Sequence, residues 1–184
     1  MTQKSVHLED IIKQEMPGVT RIQAAQHLEA CLICLDHHNH QSDLEIALYE
    51  DNDTKNTILL HWDVIIDEKV RRSWRDSHEA TEYGATALAI LTIIHQTEYV
   101  IVERAVRGTG FDYWLTDSAS YDEQELFPAG LARLEVSGIL HAKTGTAIQR
   151  RIREKQTQQS DDMHIPALVI VVEFSRPEIH KVQK

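Results

Sequence analysis

Residues 77–115, SHEATEYGATALAILTIIHQTEYVIVERAVRGTGFDYWL, contain the change of pattern that decides the fold. Apolar residues recur every three or four positions through the first part of this stretch, which predicts a helix over residues 77–96. The pattern then becomes rich in β-branched residues over 99–106 and alternating over 111–115, with a glycine-containing turn between them. Two strands are therefore expected directly after the helix.

The sequence beyond residue 115 extends the same sheet. Residues 131–139 predict a third strand, and Thr144 or Thr146 can open a basic amphipathic helix. Residues 167–174 include five consecutive aliphatic residues, which is typical of a strand buried on both faces. The order of helix, three strands, helix and strand predicts a mixed α/β fold with helices on both sides of a central sheet.

An N-terminal extension of helices and a hairpin is predicted over residues 1–76. Residues 6–15 favour a short amphipathic helix, and Thr20 can cap a second helix. Two apolar runs within residues 44–62 are separated by a polar turn and predict a β-hairpin. Residues 67–74 are again helical in pattern.

Length and composition favour one domain. The chain has 184 residues, of which 42% are apolar, enough for one well-formed core and short of two. We expect residues 1–184 to form a single domain, with residues 77–175 as its α/β core. Residues 176–184 are polar and are expected to form a peripheral tail.

The charge and cysteine content narrow the classes of function. Lys and Arg number 19 against 29 Asp and Glu, giving a net charge of −10, which disfavours broad electrostatic capture of nucleic acid. No apolar run approaches the roughly 20 residues that cross a bilayer, and no signal-like segment opens the sequence, so no membrane partner is expected. Two cysteines are too few for a disulfide framework, so a cytoplasmic location is expected.

Strand parity brings two acidic residues onto one face of the predicted sheet. Alternate residues of a strand share a face, so Asp112 and Trp114 point one way, and Arg133, Glu135 and Ser137 share the polar face of the next strand. If the two strands pair, Asp112 and Glu135 converge. Solvated surface acids are the alternative interpretation.

Two convergent carboxylates can bind a hard cation such as Mg²⁺ or Mn²⁺. Such an ion could polarise a phosphoryl oxygen and lower the pKa of an attacking water. Glu79 and Glu82, near the start of the long helix, could add a third carboxylate, although acidic residues also stabilise a first helical turn without any chemistry.

Residues 77–174 resemble the PD-(D/E)xK nuclease-like superfamily, whose core is a helix with an acidic residue, three strands, a helix and a fourth strand. Glu79 or Glu82 would match the acid of the first helix. Asp112 would match the second-strand aspartate, and Glu135 the acid of the third strand. The resemblance implies a restriction-endonuclease-like fold and catalytic and metal-binding roles for these residues.

The sequence departs from the family pattern at two positions. Ser137 stands where the family has a lysine, and Phe111 stands where it has a proline. In the family the lysine is thought to orient or activate water and to stabilise negative charge, which serine cannot do. Arg133 and Lys143 are nearby cations whose positions the sequence does not fix.

Three hypotheses follow. The first is a catalytically degenerate nuclease-like module that acts as a binding or assembly subunit of a nucleic-acid-processing complex, with a protein partner or a second copy of itself. The second is an active Mg- or Mn-dependent nuclease that uses Asp112 and Glu135, with a displaced cation in place of the lysine. The third is an acidic inhibitor or immunity-type protein. Its masking surface would be the acidic loop, which contains Asp117, Asp122, Glu123 and Glu125.

The basic helix is the concentrated positive segment of its half of the chain. It could contact phosphates, and a solvated helix face is the alternative interpretation. Its cationic residues are Arg150, Arg151, Arg153 and Lys155.

A cluster of thiols and imidazoles has some features of a zinc site. Cys31, Cys34, His37, His38 and His40 fall within ten residues, whereas structural zinc sites usually take their ligand pairs from separated elements. We expect buried thiols and a solvated histidine cluster.

Overall fold

The structure is a computed structural model that describes residues 4–51, 54–122, 131–158 and 165–184. It confirms the mixed α/β class, with one eight-stranded sheet and five α-helices among the described residues. The strands are β1 (Lys4–His7), β2 (Leu44–Glu50), β3 (Thr54–His61), β4 (Tyr99–Arg104), β5 (Tyr113–Asp117), β6 (Ala132–Ile139), β7 (Ala167–Glu173) and β8 (Glu178–Gln183). The helices are α1 (Asp10–Lys13), α2 (Arg21–His37), α3 (Glu68–Ser73), α4 (Ser77–Gln96) and α5 (Ala147–Gln158).

The sheet order is β1-β3-β2-β8-β7-β6-β5-β4. Strands β4, β5 and β6 form an antiparallel meander, and β7 joins β6 in parallel after the crossover helix α5. On the other side, β8 runs antiparallel to β7 and parallel to β2, whose hairpin with β3 ends at the parallel edge strand β1. A single sheet therefore includes strands from both halves of the sequence.

Helices cover both faces of β7, as its continuous apolar sequence predicts. Leu168, Ile170 and Val172 belong to the large core that contains α2 and α4. Val169 and Val171 point the other way, under Ile148 and Ile152 of α5. Because side chains alternate along a strand, this parity fixes which face of the neighbouring β6 lies beneath α5.

Helix boundaries follow their capping residues. Thr20 caps α2 through a capping box with Gln23, as predicted. The cap of α4 is Asp76, whose carboxylate accepts hydrogen bonds from the N–H groups of His78 and Glu79. None of the helices in the described ranges combines the length and apolar character needed to span a bilayer.

Two expectations for the ends of the sequence were wrong. The helix predicted over residues 6–15 is instead strand β1 followed by the single-turn helix α1, because Val6 is buried as Lys4–His7 pairs with β3. The expected peripheral tail is strand β8, which lies between β2 and β7. Its Ile179 and Val182 are buried, and its polar residues find partners in neighbouring strands.

Candidate functional site

The two carboxylates predicted from strand parity lie beside each other where β5 begins. Tyr113 of β5 pairs with Leu134 of β6, so the preceding residue, Asp112, faces Glu135. The Asp112 N–H donates to the Leu134 carbonyl at 2.8 Å, and the Val136 N–H donates to the Asp112 carboxylate at 2.8 Å. These bonds fix the Asp112 side chain against β6, and the structure brings the two predicted residues together.

Helix α5 supplies a cation to this pair. The Lys155 ammonium contacts the Glu135 carboxylate directly. One helical turn earlier, Arg151 Nη1 donates to Ser137 Oγ at 2.9 Å. Residues four apart share a helix face, and Glu135 and Ser137 share a strand face. Both contacts therefore hold α5 in the same position over β6. Two cations of α5 therefore contact the polar face of β6, at Glu135 and at Ser137.

Burial and mutual repulsion raise the pKa of both acids. Glu135 is 5% exposed. Its burial, followed by the charge of Asp112, raises its pKa to about 7 against the opposing effect of Lys155. Burial also raises the pKa of Asp112, opposed by the Val136 N–H and by the charges of Lys155 and Arg104. Because Asp112 has more groups that favour its charged form, the pair holds a shared proton mainly on Glu135 near neutral pH.

Asp112 lines a cavity of about 600 Å³, a volume within the roughly 300–1,000 Å³ usual for ligand sites. Helices α4 and α5, strand β6 and the residues after it contribute to its walls. The acidic groups on its surface are Asp112 and Glu82. Its cationic and imidazole side chains are Arg104, Arg151, Lys155, His27, His78 and His141.

His27 is a cavity residue that sequence reasoning missed. It lies on α2, in the part of the chain assigned to the N-terminal extension, and its Nδ1 donates to the Tyr83 carbonyl at 3.2 Å. Its Nε2 lies 3.5 Å from the Tyr113 hydroxyl. Burial lowers the pKa of His27 to about 4 and raises that of Tyr113 to about 12, so both groups are neutral at pH 7.

The structure separates the two helix glutamates. Glu82 lines the cavity with a side chain that is 67% exposed, whereas Glu79 is exposed outside the cavity wall. Within the described ranges, no group of three or more His, Cys, Asp or Glu is arranged to hold a metal ion. The resemblance implied a third carboxylate at Glu79 or Glu82, and of these two residues Glu82 is the one that lines the cavity.

Other side chains near the strands have structural contacts. Trp114 packs edge-on against Phe111 with ring centroids 4.6 Å apart. Arg133 is buried, and its Nη2 donates to the Ile165 carbonyl at 2.8 Å. Lys143 is exposed and lies outside the cavity wall. Of the cations near the acids in sequence, neither Arg133 nor Lys143 takes the position that Lys155 occupies.

The two thiols are buried, as expected. Cys31 and Cys34 are free cysteines on the core face of α2. Burial raises the pKa of both, that of Cys34 to about 12, so neither provides a thiolate at neutral pH.

The histidine cluster is less solvated than expected. His38 Nε2 donates to the Leu140 carbonyl at 2.7 Å, and His40 Nε2 donates to the Phe174 carbonyl at 2.9 Å. These bonds tie the end of α2 to the residues that follow β6 and β7, while His37 is exposed. Two of the three histidine side chains therefore hydrogen-bond to backbone carbonyls instead of facing water.

The acidic loop is described in part. Asp117 accepts a hydrogen bond from the Ala119 N–H at 2.8 Å, which starts a short 3-10 turn. Glu123 and Glu125 lie outside the described residues.

Comparison of the chain with protein-family models, curated proteins and solved structures finds no match. The geometry of the site is therefore the evidence for a function.

One feature of the sequence could have indicated Lys155. It is four residues after Arg151, on the helix that follows the strand containing Glu135.

Proposed function

We propose that the chain is a metal-dependent phosphodiesterase of the nuclease type. The observation that carries this proposal is the contact of Lys155 with Glu135, beside Asp112 and next to the cavity. A serine at position 137 provides no positive charge. The hypothesis of an active nuclease therefore needs a cation from another position, and Lys155 of α5 is the cation that we propose.

The strand order supports the same proposal. From α4 onward the chain forms a helix, an antiparallel meander of three strands, a crossover helix and a parallel fourth strand. This arrangement is similar to the PD-(D/E)xK core. Asp112, directly before the second of these strands, and Glu135 in the third would match the two acids of that family.

The acidic pair fits a divalent ion of the Mg²⁺ type. Such ions are commonly held by one or two carboxylates together with waters and substrate phosphates. Asp112 and Glu135 are close enough to share a proton, so a cation bound there would displace that proton and relieve their repulsion. When bound, the ion would polarise a phosphoryl oxygen and lower the pKa of an attacking water.

The chain's own cations have separate roles in this proposal. Lys155 stabilises negative charge that develops on a phosphate next to Glu135. Arg104 and Arg151 bind further phosphate oxygens, because a guanidinium can donate two hydrogen bonds to one phosphate. The cavity of this acidic chain thus has three cations, Arg104, Arg151 and Lys155, beside two carboxylates, Asp112 and Glu82.

Cleavage assays on the full chain test the proposal. We expect Mn²⁺- or Mg²⁺-dependent cleavage of plasmid, single-stranded DNA or RNA, abolished in the Asp112→Ala, Glu135→Ala double variant. Lys155→Met is expected to lower the rate by about 100-fold or more, which is typical of losing one charge-stabilising group. Lys143→Met removes an exposed lysine outside the cavity and serves as the matched control.

Two outcomes would contradict this function. Cleavage unchanged in the folded double variant would assign the activity to another site or to a contaminant. Lys155→Met with wild-type activity would remove the main support for the proposal. Urea unfolding of each variant separates loss of chemistry from loss of fold.

A catalytically degenerate binding subunit is the second candidate. It is favoured by the two-carboxylate donor set, since the described residues add no third ligating side chain to it. This candidate predicts that the double variant binds its partner normally and that the wild-type chain stays inactive with that partner present. Cleavage that appears in the complex and is lost in the double variant would exclude it.

A further inference from the structure

The shape and lining of the cavity define the kind of strand it can admit. Asp112 lines the cavity and Glu135 is buried, so a phosphate would have to enter the cavity to reach Lys155 and any cation that the two carboxylates would hold. A cavity of about 600 Å³ is in the size range of small-ligand sites and can take a short segment of one strand.

One wall of the cavity is aromatic. Tyr83 lines it and remains partly exposed. Its ring is in contact with those of His27 and Trp74, at centroid distances of 5.2 and 5.6 Å. The His27 bond to the Tyr83 carbonyl ties this segment of α4 to α2. An unpaired base can stack on such a ring, whereas a base inside a duplex is already stacked on its neighbours.

The cations lie in the same cavity as the aromatic wall. Arg104, Arg151 and Lys155 line it. Aromatic side chains combined with a positively charged groove are the means by which proteins bind single strands without strong sequence preference. The net charge of −10 opposes binding of a duplex over the wider surface.

From this geometry we infer that the site takes an unpaired nucleic-acid strand and that Tyr83 stacks on a base next to a phosphate bound by Lys155 and Arg151. The inference rests on the proposed function. It adds a substrate class, single-stranded DNA or RNA, and a base-binding residue outside the acidic pair.

Binding and cleavage are measured separately so that the two proposals can fail independently. Fluorescence anisotropy in Ca²⁺ compares a labelled 15-nucleotide DNA strand, the corresponding RNA strand and the 15-base-pair DNA duplex. We expect at least tenfold tighter binding of one or both single strands. Three phosphate contacts predict a slope of about −2 in log affinity against log salt concentration.

Variants of Tyr83 test the stacking. Tyr83→Ala should weaken single-strand binding by about 5-fold to 150-fold, the range expected for loss of one stacked base, and Tyr83→Phe should restore it. Tyr49 stacks on His180 away from this cavity, so Tyr49→Ala is the matched control. Urea unfolding confirms that each variant is folded.

The possible results separate cleanly. Equal or tighter binding of the duplex, or no binding of any strand, would overturn the inference, and divalent-dependent cleavage of duplex would still support the proposed function. Wild-type affinity in the Tyr83→Ala variant would remove Tyr83 from the site. Single-strand binding without cleavage would support the substrate class and contradict the nuclease. Comparison of the DNA and RNA strands shows which of the two nucleic acids the site binds more tightly.

Discussion

The proton shared by Asp112 and Glu135 should make the stability of the fold depend on pH. The pKa of Glu135 is about 7 in the folded chain, against 4.5 for an ordinary glutamate. Because the folded state binds this proton more tightly, its contribution to stability is fully present below about pH 4.5 and is lost as the pH rises through about 7. At roughly 1.4 kcal/mol per pH unit, the loss is about 3 kcal/mol of unfolding free energy.

Glu135→Gln removes this dependence while keeping the size of the side chain. We expect the variant and the wild type to differ little near pH 4.5, and the variant to gain about 3 kcal/mol relative to the wild type by pH 8. Urea unfolding at a series of pH values measures the difference. Glu79→Gln makes the same chemical change at an exposed position and is the matched control.

The pH dependence of unfolding decides whether Glu135 holds the raised pKa. Unfolding free energies of wild type and Glu135→Gln that stay parallel from pH 4.5 to pH 8 would show that Glu135 does not hold the raised pKa. A divalent cation at pH 8 should stabilise the wild type more than Glu135→Gln, because the cation replaces the shared proton. Equal stabilisation of both would place the cation elsewhere.

Three further predictions concern the fold that supports the site. Gly138→Ala should cost at least about 2 kcal/mol of unfolding free energy, because the added Cβ would lie 2.5 Å from the carbonyl oxygen of Thr81. In Gly145→Ala no atom lies within 4 Å of the new Cβ, so the unfolding free energy should change by less than about 0.5 kcal/mol. Equal urea midpoints for the two glycine variants would contradict this contrast. Thr20→Ala should cost about 1 kcal/mol through loss of the α2 cap, and an unchanged midpoint would show that the cap contributes nothing. Deleting Glu178–Gln183 should abolish folding, since β8 lies inside the sheet, and a native-like circular dichroism spectrum of the truncated chain would contradict its central place.

The features that could be predicted from the sequence depend on local patterns. Helix α4 and strand β7 were predicted because apolar periodicity and a continuous aliphatic run are visible within each segment. The meeting of Asp112 and Glu135 also followed from parity, which needs only the assumption that adjacent strands pair. Such signals do not require knowledge of distant partners.

The features that were missed depend on contacts between distant segments. Strand β8 is polar in sequence, and its His180 and Lys181 are accommodated by Tyr49 and Glu50 of β2, more than 120 residues earlier. Lys155 reaches the acids because α5 crosses over β6, a direction that the intervening loop does not reveal. Propensity describes a segment in isolation and gives no account of such partners.

The place of β8 sets the order in which this chain can complete its fold during synthesis. Strands β1 to β3 and β4 to β7 form two sets that meet through β8, which the ribosome makes after all the others. Each set is translated with one sheet edge open, and an open edge can pair with another chain. Until β8 has left the ribosome and paired, β2 and β7 each present an open edge, so the emergence of β8 is the step at which aggregation and chaperone binding are expected to compete with folding.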